Sequence, residues 1–194
     1  FEKCRAAVPP GPGAARSAGG YVRAAKLSFP LGWIIPAQAE ALGRLAGCQG
    51  AAVRIENHHS VAVYAQHAED MLGSLAAEPS LSGLAPGPDI LSCPGTTWCG
   101  HAIIRTHAVE HALRKGLPAD FKNAIRISGC PNGCGHAGVG QIGLVGRVRK
   151  AGDKNAEGVQ VLSGGGMGKS RELAIEQAPF ITGEDIASYI NNFF

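Results

Sequence analysis

Four cysteines stand in two tight pairs, Cys93-Pro-Gly-Thr-Thr-Trp-Cys99 and Cys130-Pro-Asn-Gly-Cys134. Each pair occupies a turn rich in proline and glycine, directly after a short apolar run. Asp89-Ile90-Leu91-Ser92 precedes the first and Ala124-Ile125-Arg126-Ile127-Ser128 the second. Thiolates are soft ligands, and four gathered at one point fit a [4Fe–4S] cluster or a structural zinc. Five residues separate the first pair and three the second, whereas zinc knuckles favour two to four. The pattern therefore asks for two parallel strands ending side by side, each continued by a backbone that curls round a metal cluster.

The rest of the composition permits this and excludes other classes. With 194 residues, 45% of them hydrophobic and 17% charged, the chain can bury a core as one domain or two small ones. No run approaches the roughly 18 apolar residues of a membrane span. A net charge of +3 is too weak to argue for nucleic acid; an anionic small molecule is the better reason for any local basic patch. Cys4 and Cys48 lie far from the tight pairs, and no signal peptide is visible. A reducing, cytoplasmic setting is expected rather than a disulfide scaffold.

The element order is that of an α+β protein. Residues 1–20 read as an irregular arm rich in Pro, Gly and Ala. Residues 21–84 follow as strand 21–29, a helix opened by Pro36 and ended at Gly47, strands 51–56 and 60–64 joined by Asn57-His58-His59, and helix 68–77. This is a ferredoxin-like half-domain with an antiparallel sheet. A break rich in Pro and Gly leads into residues 85–194. There the pattern predicts strand 89–92, a long helix from Thr97 to Lys115, strands 124–129, 141–149 and 158–162, a glycine loop and a closing helix 183–192.

Cys-Pro-Gly-Thr-x-x-Cys, followed about thirty residues later by Ser-Gly-Cys-Pro-Asn-Gly-Cys-Gly, resembles the signature of the sirohaem and [4Fe–4S] sulfite and nitrite reductases. Further matches are in register: Phe29-Pro30-Leu31-Gly32, Leu117-Pro118 with Phe121-Lys122, Gln141-Ile142-Gly143-Leu144-Val145-Gly146, and Val161-Leu162-Ser163-Gly164-Gly165-Gly166. The resemblance covers roughly residues 21–194. It implies that Cys93, Cys99, Cys130 and Cys134 hold the cluster, with Cys134 also giving its sulfur to the sirohaem iron. It implies a low-molecular-weight sulfite reductase that reduces sulfite to sulfide by six electrons, with ammonia-forming nitrite reduction as the neighbouring activity. The electrons would come from a small donor protein such as a ferredoxin or a cytochrome. Full-length members carry two copies of this unit and this chain has one, so a homodimer or a partner subunit would complete the substrate cage. A non-catalytic electron-transfer or cofactor-carrying subunit is the alternative. Of the family's basic substrate set, Lys26 and Lys122 are retained, while Ser28, Pro88 and Asp120 stand where relatives carry basic residues.

An octacarboxylate macrocycle needs Lys, Arg and backbone N–H donors in number. Arg54, Arg126 and Lys169, the turn residue Asn132 and the loop Gly164-Gly165-Gly166 are the candidates that join Cys134 in holding it. His136, two residues past Cys134, is suited to deliver protons near neutral pH or, alternatively, to orient the cluster loop through a hydrogen bond. Lys26, Lys122 and His136 thus form the expected catalytic set. His107 and His111 share metal-ligand spacing on a helix without a third ligand nearby, which reads as helix surface. Gly168-Lys169-Ser170 is no P-loop, because Ser163 stands where the leading glycine belongs.

Overall fold

The computed structural model describes residues 20–48, 51–56, 59–82, 84, 88–166 and 172–194. The expected arm lies outside the described residues apart from Gly20, as do Cys4, Asn57, His58 and Lys169. The chain divides into two compact units, residues 1–86 and 87–194.

The first unit runs β1 (Val22–Ser28), α1 (Pro36–Cys48), β2 (Ala52–Glu56), β3 (Ser60–Ala65) and α2 (Ala68–Ala76). Its sheet is antiparallel in the order β1-β3-β2. Pro36 opens α1, where a missing N–H costs nothing. Alternation sorts the central strand: Val61 and Val63 join Leu27, Leu42, Leu45, Met71 and Leu75 in the core. The turn after β1 places Leu31 and Gly32 at positive φ, 55° and 73°. The Phe29 amide donates to the His59 carbonyl at 2.8 Å, which ties that turn to the β2–β3 connection.

The second unit runs β4 (Ile90–Ser92), α3 (Thr106–Gly116), β5 (Ile125–Ser128), β6 (Ile142–Ala151), β7 (Lys154–Ser163), β8 (Ile175–Thr182) and α4 (Ile186–Phe193). One five-stranded sheet has the order β4-β5-β6-β7-β8. β4, β5 and β6 pair in parallel and the remaining pairs are antiparallel. Ile90, Ile125, Ile127, Ile142, Leu144, Val159 and Val161 form one apolar face against Val109 and Leu113 of α3, Leu117 just after it, and Ile186 and Ile190 of α4. Gly116 lets α4 close on α3, since a Cβ there would lie 2.7 Å from Ala187 Cβ. All of β5 is buried, as expected of a central parallel strand covered on both faces.

Elements of the second unit differ from the sequence expectation. The helix expected from Thr97 begins only at Thr106; Gly95–Thr97 is a separate short 3-10 helix. The amides of Ile103 and Ile104 both donate to the Gly129 carbonyl, at 2.7 and 3.2 Å. Those donors bind the second cysteine turn, so the segment is held as an irregular link. β8 was absent from the expectation, because Pro179 interrupts a run without clean alternation. It is accepted on the sheet edge, where a missing ladder donor is tolerated. Pairing with β8 and a hairpin at Gly152 also start β7 at Lys154, four residues before the expected Gly158.

Candidate functional site

The two cysteine turns leave the sheet at neighbouring positions. Ser92, the last residue of β4, pairs with Ile127, and β5 ends one residue later. The Cys93 amide donates to the Ile127 carbonyl at 3.0 Å, and the Gly129 amide donates to Cys93 Sγ at 3.1 Å. A Cβ on Gly129 would stand 3.1 Å from Gly95 Cα, 3.2 Å from Ala102 Cβ and 3.4 Å from Cys93 Sγ. The start of the second turn is thus pressed against the first. All four cysteines are free thiols; Cys130 is buried, Cys93 and Cys99 are half-buried, and Cys134 is exposed.

This donor set suits an iron–sulfur cluster. An N–H donor aimed at a cysteine sulfur stabilises thiolate charge and is one of the protein's means of tuning a cluster. Among the described residues no three His, Cys, Asp or Glu side chains converge as ligands of a single metal ion. A [4Fe–4S] cube takes one thiolate per iron and so spreads its ligands over its corners.

Past Cys134 the chain folds back over the face of the sheet opposite α3 and α4. The Gly135 amide donates to Ser128 Oγ at 3.0 Å, and Ser128 is fully buried. Gly135 lies so flat on β5 that a Cβ would fall 1.8 Å from the Ile127 carbonyl oxygen. His136 follows at φ 60°, a left-handed conformation rare for a side-chain-bearing residue, and starts the short 3-10 helix Ala137–Val139. Against that helix rests the glycine loop. The Gly164 amide donates to the Gln141 carbonyl at 3.1 Å, the Ala174 amide to the Gly138 carbonyl at 2.9 Å, and a Cβ on Gly165 would meet Gly140 O at 2.5 Å. The structure therefore packs Gly164 and Gly165 against the segment Ala137–Gln141 that follows Cys134 and His136.

Behind the turns lie buried polar groups that sequence reasoning missed. The Glu110 carboxylate on α3 is 1% exposed. It accepts from Ser92 Oγ and from Arg114 Nε and Nη2, the last two at 3.0 and 2.9 Å. Ser92 is the residue before Cys93, so this network anchors the strand end that presents the first ligand. Thr106 Oγ1 donates to the Cys93 carbonyl at 2.6 Å. The spacing of Glu110 and Arg114 was a visible signal of a helical ion pair; its burial was not.

Arg126, expected at the macrocycle, is buried in the middle of β5. Its Nη1 and Nη2 grip the Asp89 carboxylate at 3.1 and 3.0 Å, and Nη1 also donates to the Ile125 carbonyl at 2.9 Å. The guanidinium is thereby committed to joining β4 to β5, with buried Nε left unpaired among the described residues. Lys122 and Asn132 are exposed in the second unit. In the first unit, Lys26 of β1 and Arg54 of β2 both sit opposite Ala62 of β3, forming one cationic row on one face of the sheet. His107 and His111 lie on α3 as expected, with His111 exposed.

The family model for the nitrite and sulphite reductase 4Fe-4S domain matches residues 89–194. The chain belongs to the sirohaem and [4Fe–4S] nitrite and sulphite reductase family. The ferredoxin–nitrite reductase of Synechococcus elongatus is 34% identical over 172 residues, which cover 82% of this chain and 33% of that protein. That of Leptolyngbya laminosa is 37% identical over 131 residues, covering 62% of this chain and 26% of the relative. The coenzyme F420-dependent sulfite reductase of Methanocaldococcus jannaschii is 28% identical over 174 residues, 84% of this chain and 26% of its own length. The chain thus spans a third or less of these curated relatives. The NirA protein of Mycobacterium tuberculosis shares the fold with a TM-score of 0.69 at 21% identity, over 91% of this chain and 35% of NirA. Dissimilatory sulfite reductase I gives 0.66 at 13%, over 89% of this chain and 61% of the other. These likenesses agree with the α+β class. No helix among the described residues is long and apolar enough to cross a membrane.

Proposed function

We propose that this chain is the cofactor-bearing module of a sirohaem-dependent reductase that converts a small oxyanion, sulfite or nitrite, by six electrons. The observation that carries the proposal is the junction of the two cysteine turns at adjacent parallel strand ends, with the Gly129 amide on Cys93 Sγ. Cys93, Cys99, Cys130 and Cys134 would hold the cluster, and Cys134, the exposed member, would present its sulfur to the sirohaem iron. Bound there, cluster and sirohaem supply electron storage that no side chain offers.

The chain's own residues bind, orient and deliver protons. The Gly164 and Gly166 amides donate to Gln141 O and Glu172 O, so in this reading the Gly165 amide and the exposed Asn132 would meet carboxylates of the macrocycle. His136 is held beside Cys134 by its left-handed backbone and serves as proton donor. Lys122 supplies positive charge in the second unit, and the Lys26–Arg54 row supplies it in the first. Sulfite was the anion expected from the sequence motifs. The relatives at or above 30% identity named here are ferredoxin–nitrite reductases, which supports nitrite as the second substrate to test. Their names also support a small electron-donor protein such as a ferredoxin as partner.

The test is an anaerobic preparation assayed for visible sirohaem absorption, iron and acid-labile sulfide. It is then supplied with a reduced dye and either sulfite or nitrite. Cofactors with turnover support the reductase. Cofactors without turnover on either anion support the carrier subunit, and zinc in place of iron would reject both.

A further inference from the structure

We propose that Arg147 is an aimed cation beside the second cysteine turn that takes a carboxylate or small oxyanion, and that Gln160 and Glu176 are the residues that aim it. Gly146 places it there. A Cβ on Gly146 would lie 2.3 Å from the Gly129 carbonyl oxygen, so β6 runs flush against the residue before Cys130. Val145 is the last β6 residue paired with β5, opposite Ser128. Arg147 alternates with Val145 and so shares the face on which Ser128 Oγ receives the Gly135 amide.

The guanidinium is fixed from one side only. Nε and Nη2 both donate to Gln160 Oε1, at 3.0 and 2.5 Å, and Gln160 Nε2 donates in turn to the Glu176 carboxylate. A glutamine that accepts at one end and donates at the other has its amide orientation set, and Arg147 with it. Nη1 makes no hydrogen bond among the described residues. The contrast with the unit's other partly or fully buried arginines is informative: Arg114 faces Glu110 and Arg126 faces Asp89, so both are neutralised by carboxylates. Arg147 is half-buried, bonded to a neutral amide, and retains both its charge and an unused edge of its fork. That edge matches a carboxylate or a sulfite- or nitrite-like oxyanion.

The proposal rests on the reductase reading above, and the shared ligand chemistry has two sources, a macrocycle carboxylate and the substrate. The experiment compares wild type, Arg147→Gln, Arg147→Lys and Gln160→Leu, each purified anaerobically. Tetrapyrrole retained per cluster is read from the visible spectrum with iron and sulfide assays. Sulfite and nitrite affinities are read by spectral titration, with near-UV circular dichroism as the check on folding. Arg147→Gln is expected either to lose tetrapyrrole per cluster or to bind the anions about tenfold more weakly, the scale of one charge-assisted bond, with cluster content unchanged. Loss of tetrapyrrole assigns the cofactor carboxylate; weaker anion binding with tetrapyrrole retained assigns the substrate. Arg147→Lys is expected to recover part of the loss, and Gln160→Leu, which keeps the charge but not the aim, to lose several-fold. Arg147→Gln equal to wild type in tetrapyrrole content and in both anion affinities would overturn the proposal, and Gln160→Leu equal to wild type in all three would overturn the aiming role. A wild-type protein without tetrapyrrole would overturn the reductase reading and this proposal with it, and that failure shows before any variant is compared.

Discussion

Replacing Gly135 by alanine tests whether the second cysteine turn must lie flat on β5. The new Cβ would stand 1.8 Å from Ile127 O, 2.5 Å from its carbonyl carbon and 3.0 Å from Ser128 N. All three are backbone atoms of a buried strand paired on both sides, so the strand cannot retreat. The turn must rise instead, by about 1.6 Å to reach an ordinary contact. A rise of that size stretches the 3.0 Å bond from the Gly135 amide to Ser128 Oγ beyond hydrogen-bonding range. It leaves a fully buried hydroxyl short of a partner, at about 1–3 kcal/mol. Overpacking adds about 1–3 kcal/mol, giving roughly 4 kcal/mol in all, and Cys134 moves with the turn. Urea unfolding reads the stability loss, and iron with acid-labile sulfide reads the damage to the ligand set. Gly138→Ala is the control, because a Cβ there meets nothing within 4 Å, and it is expected to fall within about 0.5 kcal/mol of wild type. A Gly135→Ala protein as stable and as iron-loaded as that control would refute the argument.

Glu110→Ala removes the buried carboxylate that Ser92 and Arg114 share. A loss of about 3–5 kcal/mol is expected in urea unfolding, and a change under about 1 kcal/mol would show that Arg114 finds another partner. His136 can be probed by two substitutions, since glycine relieves the left-handed backbone and alanine does not. His136→Gly should be more stable than His136→Ala by about 1 kcal/mol, while both lose turnover; wild-type rates in both would remove His136 from proton delivery. Cys134→Ser should abolish turnover and change the visible spectrum, and an unaltered spectrum with full activity would exclude the shared sulfur.

Much of this arrangement was legible in the chain itself. Apolar runs ending at Ser92 and Ser128, each followed by Cys-Pro, announce strand ends that present thiols, and the structure pairs those strands in parallel. The half-domain's element order was also readable, because Val61 and Val63 alternate cleanly and Pro36 marks a helix start. Local signals failed where distant backbone decided. A helix was expected from Thr97, but Thr97, Gly100, Ile103 and Ile104 are poor helix formers, and the Ile103 and Ile104 amides are taken by Gly129 O, a partner supplied by another turn. β8 carries Pro179 and exists because β7 offers it an edge.

The sequence by itself narrowed the chemistry, since four thiols at those spacings fit a soft-metal site and the motif around them resembles one reductase family. Tertiary structure decided which charged groups remain available to a ligand. In the sequence Arg126, four residues before Cys130, is the better candidate for the macrocycle and Arg147 an ordinary strand cation. Only the fold shows Arg126 locked on Asp89 inside β5 and Arg147 held by a neutral glutamine with a free edge. Periodicity and motif spacing are properties of neighbouring residues, whereas neutralisation depends on which carboxylate, tens of residues away or on another strand, the sheet brings alongside.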